Sequence, residues 1–364
     1  MKKILLSLMI VFGLAACGDK AEAPKENEKP VVKIGVIYPF SGSAAVFGES
    51  AKAAVQIFQN IYSKKLSNVN FEFYFEDDQF QPSKAVLAAQ RLTNIHNVNV
   101  LISFVSQLAI PVSEVAKSKN VLHLTLAKDP DVADGKNTFL ITADMDDIVA
   151  KMSDKMIRSN VKKVSSVVLN ASGTLFAYNS IKEGLKKHNI EISQEFFVNP
   201  SEKDFSLMIA KIRENNPDII FLQTHMPETD IFLKQYKEAN MNIPITGNGT
   251  LKALQTKELG NGLWEVDDRM PSDEFLNEYK KVTDLSATNL AEHVYSLLVV
   301  LGQAYDDLLK TNFTVTTQQL TDYMKKTKIF EGTPFGNITI KENGVMGVPG
   351  QVLYMKDGRE VGEE

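Results

Sequence analysis

Side chains that could act on a substrate are few in this chain of 364 residues, and none of them stands in a recognised catalytic motif. The chain has no phosphate-binding loop ending in Gly-Lys-Ser or Gly-Lys-Thr, no Gly-x-Ser-x-Gly turn and no His-Glu-x-x-His motif. Gly247-Asn248-Gly249 follows a predicted strand, but Lys252 stands where a dinucleotide-binding fingerprint requires glycine. The sequence therefore indicates neither an enzyme nor a resident cofactor.

Two sets of titratable residues are candidates for binding a cation. Glu76-Asp77-Asp78 follows a predicted strand, and such a cluster either binds a cation or consists of solvated turn residues and helix caps before Pro82. The second interpretation is favoured. The five histidines lack the spacing of a metal site, and each is more often a surface residue or a satisfied core residue: His96, His123, His188, His225 and His293. No metal site is predicted.

A loop rich in small residues follows the first predicted strand. Residues 39–48 read Pro-Phe-Ser-Gly-Ser-Ala-Ala-Val-Phe-Gly and lead into a predicted helix. Backbone N–H groups at such a position can bind an anionic ligand group, and the same residues can equally form an ordinary helix N-cap. Both interpretations stay open, and Ser41 and Phe47 are candidate ligand contacts.

Cys17 is the single cysteine, so the chain can form no intramolecular disulfide and no cysteine-rich metal site. It ends the run Leu14-Ala15-Ala16-Cys17, which follows Lys2, Lys3 and an apolar stretch. This arrangement is typical of an export signal and resembles a bacterial lipobox, in which the thiol is acylated and cleavage leaves the cysteine as the new N-terminus. We predict a signal peptide over 1–16 and lipidation of Cys17.

The alternative, a permanent membrane anchor, requires a longer apolar stretch. A helix over residues 4–16 covers only about 20 Å, less than the hydrocarbon core of a bilayer. The next residues, 18–30, carry charges and prolines but no large apolar side chain, so 17–30 is predicted to be the lipidated cysteine and a flexible tether. The folded body would then be extracytoplasmic, anchored to a bacterial cell membrane on its periplasmic side or at the cell surface.

Composition limits the remaining classes of partner. The chain has 45 acidic and 40 basic residues, a formal charge of −5, so it lacks the basic surplus that a nucleic-acid backbone requires. Hydrophobic residues make up 44% of the chain, which is enough for one large domain or two ordinary ones. We expect a folded protein without nucleic acid as a partner.

From residue 31 the chain alternates short apolar runs with amphipathic stretches, the pattern of parallel strands joined by crossover helices. The first series of predicted strands covers 32–38, 70–76, 99–104, 121–126 and 138–142, with helices over 44–62 and 83–95. The second series covers 164–169, 190–197, 218–223 and 243–246, with helices near 175–188, 204–215 and 228–240. Two such series predict an α/β fold with two doubly wound parallel-sheet lobes. A terminal block follows, with helices near 272–282, 287–310 and 316–326 and strands near 336–341 and 351–355.

The sequence resembles the type I periplasmic substrate-binding proteins of the leucine/isoleucine/valine type. The matching segments run in order along residues 31–360: 33–42 (KIGVIYPFSG), 76–79 (EDDQ) with 82–86 (PSKAV), 204–206 (DFS), 216–221 (NPDIIF) and 291–295 (AEHVY). The resemblance implies two lobes joined by three hinge segments, with a small ligand held between them. It places 31–143 and 267–329 in lobe 1, and 144–266 and 330–364 in lobe 2.

The same resemblance implies which positions contact the ligand. The serine after the third strand corresponds to Ser106, next to Gln107, and the small residue after the fourth strand corresponds to Ala127. A hydroxyl position falls on Asp129. The covering aromatic falls near Leu175 or Phe176, a tyrosine position falls on His225, and an acidic position falls on Asn248. These departures argue against a plain branched-chain amino acid as the ligand.

Two roles for Asp129 stay open at this point. It pairs with a cationic or hydroxylated part of the ligand while Asn248 supplies neutral hydrogen bonds, or the register slips and Asp129 is a solvated loop acid beside Pro130. Trp264 is a further candidate at the cleft, although a lone tryptophan is more often a core residue.

The resemblance implies a monomeric solute-binding lipoprotein, not an enzyme, that delivers a small polar ligand such as an amino acid to an ABC uptake permease. An alternative is a regulatory or sensory lipoprotein that uses the same fold to contact a partner protein. An enzyme would need a clustered acid/base pair, and the sequence reveals none.

Overall fold

A computed structural model of the chain describes residues 29–252, 254–285 and 290–363. The helices of this part are α1 Ala45–Ile57, α2 Pro82–Asn94, α3 Ser106–Lys119, α4 Met145–Arg158, α5 Ser172–Lys187, α6 Ser206–Asn215, α7 Glu228–Glu238, α8 Asp273–Val282, α9 Ala291–Leu308 and α10 Thr317–Thr327. The strands are β1 Val31–Tyr38, β2 Asn70–Asp77, β3 Val100–Ser103, β4 Leu122–Thr125, β5 Thr138–Ala143, β6 Lys163–Leu169, β7 Glu191–Val198, β8 Ile219–Gln223, β9 Ile245–Gly247, β10 Trp264–Asp268, β11 Ile329–Thr333, β12 Gly336–Ile340, β13 Val345–Val348, β14 Gly350–Lys356 and β15 Arg359–Gly362.

The first lobe is built on an eight-stranded sheet with the order β11-β12-β13-β5-β4-β3-β1-β2. Six of these strands, from β13 to β2, pair in parallel, and the two at the β11 edge pair antiparallel. Strands β3 and β4 are buried along their whole length, as expected for parallel strands covered by helices on both faces. Helix α9 is buried on nearly every side because it packs against this sheet and helices α1 and α10, and Tyr295 of α9 contacts the ring of Phe275 on α8.

The second lobe has two sheets. A parallel sheet with the order β7-β6-β8-β9 carries helices α4 to α7, and a small antiparallel sheet, β10-β14-β15, packs beside it. Val266 and Val352 of the small sheet join the same buried cluster as Met152 and Phe221 of the second lobe. Trp264, at the start of β10, packs half-buried against this cluster, as a core residue does.

The chain passes between the lobes three times, between β5 and α4, between β10 and α8, and between β13 and β14. The last passage differs from the sequence expectation, which assigned 330–364 to the second lobe. Residues 329–348 belong to the first lobe, because Val345 pairs with Leu140 in a parallel register that runs to Val348 and Ala143. Only β14 and β15, after residue 349, lie with the second lobe.

The helix predicted over 287–310 is observed as α9, and residues 286–289 lie outside the described part. The predicted signal peptide, Cys17 and the tether as far as residue 28 also lie outside it. Within the described residues, we find no helix with the length and apolar character needed to cross a membrane.

Candidate functional site

The loops that follow the parallel strands of the two lobes meet across an interlobe cleft, where open α/β sheets bind their ligands. Gly173 opens α5 in the second lobe. A methyl group placed on its Cα would lie 3.0 Å from Lys128 Cβ and 3.6 Å from Ser106 Oγ of the first lobe. A methyl group placed on Gly249, after β9, would lie 3.3 Å from Lys128 Nζ. The lobes therefore touch on both sides of Lys128, and glycine makes this approach possible.

Ser106 begins α3 directly beyond β3, as the resemblance implied. The side chain is only 7% exposed, and its Oγ accepts the backbone N–H groups of Lys128 at 3.1 Å and Asp129 at 3.2 Å. These two bonds fix the loop after β4 against the start of α3. A serine hydroxyl also has a hydrogen to donate, and among the described residues no acceptor takes it from Ser106.

Aromatic side chains form the first-lobe wall of the cleft next to Ser106. The ring of Phe104 lies 4.9 Å from that of Phe47, 5.0 Å from that of Tyr38 and 6.3 Å from that of Phe80, centroid to centroid. Phe104 and Tyr38 are buried, whereas Phe47 is half-buried and Phe80 is 40% exposed. The wall can hold an apolar or flat group. The carboxylate of Asp78 lies beside it, with Oδ1 accepting the N–H of Phe80 at 2.7 Å and Oδ2 without a partner among the described residues.

His225 follows β8 on the opposite side of the cleft. Its Nε2 lies 3.3 Å from Thr174 Oγ1 on α5. His225 is an exposed residue, and partial desolvation of its ring, together with the Lys128 ammonium, lowers the pKa of His225 to about 4. The imidazole is therefore neutral at pH 7 and can donate or accept one hydrogen bond without carrying charge.

Asp129 and Asn248 lie near the cleft with their side chains already engaged. Asp129 Oδ1 accepts the N–H of Asp131 at 3.1 Å and so caps a short 3-10 turn over residues 130–132. Asn248 is buried, accepts from Gln223 Nε2 at 3.3 Å and donates through Nδ2 to Val266 O at 2.8 Å. Ligand contacts by these two residues stay predictions, and the capping bond favours the loop-acid role for Asp129.

The remaining candidates divide into two groups. Leu175 and Phe176 lie half-buried in the first turns of α5, beside Gly173. Three others lie away from the contact between the lobes or have side chains that contact other residues. The Ser41 hydroxyl donates to Asp77 Oδ2 at 2.6 Å on the outer loop, Gln107 is exposed on α3, and Ala127 is packed in a small apolar cluster with Ala109 and Leu140.

A group of ionised side chains, which we call the crossing cluster, fills the space beside the β10 passage: Lys252, Asp267, Asp268, Glu292 and His293. Lys252 Nζ lies 2.9 Å from Asp267 Oδ2 and 3.3 Å from Asp268 Oδ2. His293 Nε2, on α9 of the first lobe, lies 2.9 Å from the same Asp268 oxygen. The cluster thus joins the loop after β9, the end of β10 and the start of α9.

Burial opposes the charges of Asp268, Glu292 and His293, and the neighbouring charges outweigh this effect. Lys252 and then His293 hold the pKa of Asp268 well below its usual range, despite its burial. Burial would lower the pKa of His293, but Asp268 and Glu292 raise it to about 9. Burial raises the pKa of the nearby Glu265 to about 8, helped by Asp267. At pH 7 the cluster therefore contains a protonated His293 between two carboxylates.

Sequence reasoning missed Lys128 and the crossing cluster. A single lysine in a loop gives no signal, because its importance depends on Gly173 and Gly249, which are distant in sequence. The cluster did leave a trace: Glu265, Asp267 and Asp268 place three acids in a strand that is otherwise buried, and buried acids require partners.

A sequence model of the periplasmic binding protein family matches residues 31–359. The chain belongs to the periplasmic binding protein family. This periplasmic binding protein is 22% identical over 352 residues to Leu/Ile/Val-binding protein homolog 3 of Brucella melitensis, covering 92% of the chain and 94% of the relative. It is 26% identical over 238 residues to BraC3 of Rhizobium johnstonii, covering 63% and 64%, so the chain spans just under two thirds of that relative's length.

Solved structures show the same fold for this periplasmic binding protein. A leucine-binding protein from Thermotoga maritima has a TM-score of 0.77 at 21% identity and covers 92% of this chain and 98% of its own. A solute-binding protein of an ABC transporter from Rhodopseudomonas palustris, in complex with benzoate, has a TM-score of 0.73 at 19% identity, covering 91% and 95%. The family and the two-lobed α/β fold predicted from the sequence are confirmed.

Proposed function

We propose that this protein captures a small polar ligand, an amino acid or a related metabolite, between its lobes and delivers it to an ABC uptake permease. The observation that carries the proposal is the contact of the two lobes at Ser106, Lys128 and Gly173, beside an aromatic wall and a neutral histidine. Such a site combines an apolar lining with a few placed polar groups, as small-molecule sites do.

The rest of the proposal concerns where the protein works. Family membership implies an extracytoplasmic location. A lipid on Cys17 and the tether that follows it would hold a monomeric body close to the membrane, within reach of a permease. The relatives are named as binding proteins, and the proposal includes no bond chemistry.

The test is a thermal-shift screen of residues 18–364 against amino acids, amides, polyamines and short-chain carboxylic acids. A ligand that binds only the folded protein adds about 2.7 kcal/mol of stability at 100 times its Kd, which raises Tm by a few degrees. Ser106→Ala should reduce that increase, whereas Ser118→Ala, near the far end of the same helix, should not. Silence across the whole panel would reject solute capture and leave the regulatory or sensory lipoprotein as the better candidate.

A further inference from the structure

The loop after β9, residues 248–252, is fixed to the second lobe. Glu265 Oε2, on β10 of that lobe, accepts the backbone N–H groups of Thr250 at 2.6 Å and Leu251 at 3.0 Å. Lys252 ends this loop and enters the crossing cluster, where its Nζ lies 3.3 Å from an oxygen of Asp268. Lys252 is therefore the cation that the second lobe contributes to the cluster.

The first lobe contributes a second cation to the same carboxylate. Asp268 pairs with Gly350 in the small sheet of the second lobe, whereas His293 lies on α9 of the first lobe. His293 Nε2 lies 2.9 Å from the Asp268 oxygen that Lys252 also contacts. The charge of Glu292, next to His293 on α9, reaches Lys252 and helps to raise the pKa of that lysine. Opposite charges thus face each other across the lobes in two pairs.

These pairs are formed in an arrangement in which the lobes touch at the cleft. A methyl group placed on Gly249, in the same loop as Lys252, would lie 3.3 Å from Lys128 Nζ of the first lobe. A rotation that separates Gly249 from Lys128 therefore also moves Lys252 relative to α9, because the two loop residues are only three positions apart. Opening the cleft would change the distances within the crossing cluster.

Burial makes such a separation costly. The exposed fraction is 3% for His293, 2% for Glu292 and 7% for Asp268. Asp268 Oδ1, Glu292 Oε2 and His293 Nδ1 have no hydrogen-bond partner among the described residues, so the environment offers these groups few other contacts. A buried charge that loses its partner is strongly destabilised, because the protein interior solvates it poorly.

We propose that the crossing cluster is an ionic latch that holds the two lobes in the closed arrangement, with His293 as its first-lobe half. Without the charge of His293, α9 would present only the carboxylate of Glu292 to the carboxylate of Asp268, and closure would lose its main attraction at this point. The latch goes beyond the proposed function, because it acts on the ligand-free protein and does not depend on which solute binds.

The charge of the latch depends on pH through His293. The charged and titratable groups around it come from several elements: Glu292 of α9, Glu265, Asp267 and Asp268 of β10, Lys252 of the loop after β9, Tyr279 of α8, and Lys128 of the first-lobe cleft wall. The two nearest carboxylates raise the pKa of His293 to about 9. Lys252 stays charged at that pH, because its carboxylate neighbours raise its pKa well above its usual value. The latch should therefore weaken as the pH rises past 9.

The test is single-molecule fluorescence energy transfer between dyes on the two lobes of residues 18–364, a segment without native cysteine. Ser43→Cys and Asn170→Cys provide exposed labelling sites after β1 and after β6. At pH 7.4 we expect His293→Gln to raise the ratio of open to closed molecules at least about tenfold, as the loss of one partner of a buried charge pair allows. Lys182→Gln should leave the ratio unchanged, because it removes a 2.7 Å ion pair with Glu195 that lies within the second lobe.

A second measurement uses the unaltered cluster. Between pH 7.4 and pH 10 the ratio of open to closed molecules should rise more in the wild type than in His293→Gln, which retains only the titration of Glu265 and other neighbours. A wild-type ratio that stays constant over this range would overturn the latch, even where the variant does not fold.

The other results also decide the matter. An unchanged ratio in His293→Gln, or an equal rise in Lys182→Gln, would overturn the latch, and circular dichroism shows whether each variant is folded. The readout needs no ligand. Its failure would therefore leave solute capture standing, whereas silence in the thermal-shift screen would reject solute capture and leave the latch standing.

Discussion

Replacing His293 by glutamine tests whether a protonated imidazole holds the crossing cluster together. His293 is 3% exposed, with Nε2 at 2.9 Å from Asp268 Oδ2 and Nδ1 at 3.5 Å from Glu292 Oε1. Burial alone would remove the proton, and the two carboxylates reverse that preference and raise the pKa to about 9. Glutamine keeps a similar size and can donate hydrogen bonds through its amide N–H groups, but it carries no charge.

The magnitude follows from the pKa. A rise from 6.5 to about 9 corresponds to roughly 3 kcal/mol, because one pKa unit is worth about 1.36 kcal/mol. Between these values the folded protein holds a proton that the unfolded chain has released. The contribution is therefore complete below pH 6.5, falls as the pH rises and is lost above about pH 9. Glu265 adds a decline of the same sign up to about pH 8, in the wild type and in the variant alike.

The assay is urea unfolding of the wild type and His293→Gln at half-unit steps from pH 6 to pH 9.5. We expect the wild-type advantage to be largest at pH 6 and to shrink by roughly 3 kcal/mol across the series. His188→Gln, at the exposed end of α5, is the control and should show no such trend. A difference between wild type and His293→Gln that stays constant with pH would refute the protonated bridge.

Three further predictions concern the cleft, the first-lobe core and the N-terminus. Gly173→Ala should weaken ligand binding in calorimetry, because the added Cβ would lie 3.0 Å from Lys128 Cβ, and unchanged affinity would contradict the close approach. It should not lower Tm, because alanine favours the helix. Burial lowers the pKa of His123 to about 3, so the folded protein loses stability as the pH falls below 6.5. In urea unfolding between pH 6.5 and pH 4.5, the free energy of unfolding of His123→Gln should fall by about 2 to 3 kcal/mol less than that of the wild type, and equal falls would contradict a buried neutral His123. Cys17→Ser should move the protein from the detergent phase to the aqueous phase in Triton X-114 partitioning of expressing cells, and detergent-phase recovery of the variant would exclude acylation at this residue.

The sequence was sufficient for the parallel core of each lobe. Strands β1 and β6 are mainly apolar and are buried over most of their length because helices cover both faces of their sheets, and such segments are visible without knowledge of the pairing. The strands added at the antiparallel edge of the first-lobe sheet were harder to predict from the sequence. Strands β11 and β13 have four or five residues each, and their place depends on pairing with β12 and with β5, about 200 residues earlier in the chain. Local pattern contains no information on such a distant partner.

The residues of the candidate site also divide into those that the sequence indicated and those that it did not. The family resemblance indicated Ser106, and the structure places it at the start of α3, near the carboxyl end of β3. Nothing in the sequence indicated Lys128, since a lysine between Ala127 and Asp129 looks like any solvated loop residue. Its position becomes distinctive only when Gly173 and Gly249 of the other lobe are brought against it, and that contact is a property of the tertiary structure.

The cleft and the crossing cluster are parts of one hydrogen-bonded chain, and this explains the role of Asn248. Its amide links Gln223, at the end of β8, to Asp267, whose other oxygen pairs with Lys252. Lys252 continues the chain to Asp268 and so to the first lobe. A carboxylate at position 248 would place another negative charge beside Asp267, whereas the neutral amide satisfies both neighbours. Asn248 therefore joins the end of β8 to the crossing cluster through neutral hydrogen bonds, and these bonds order the second-lobe side of the cleft.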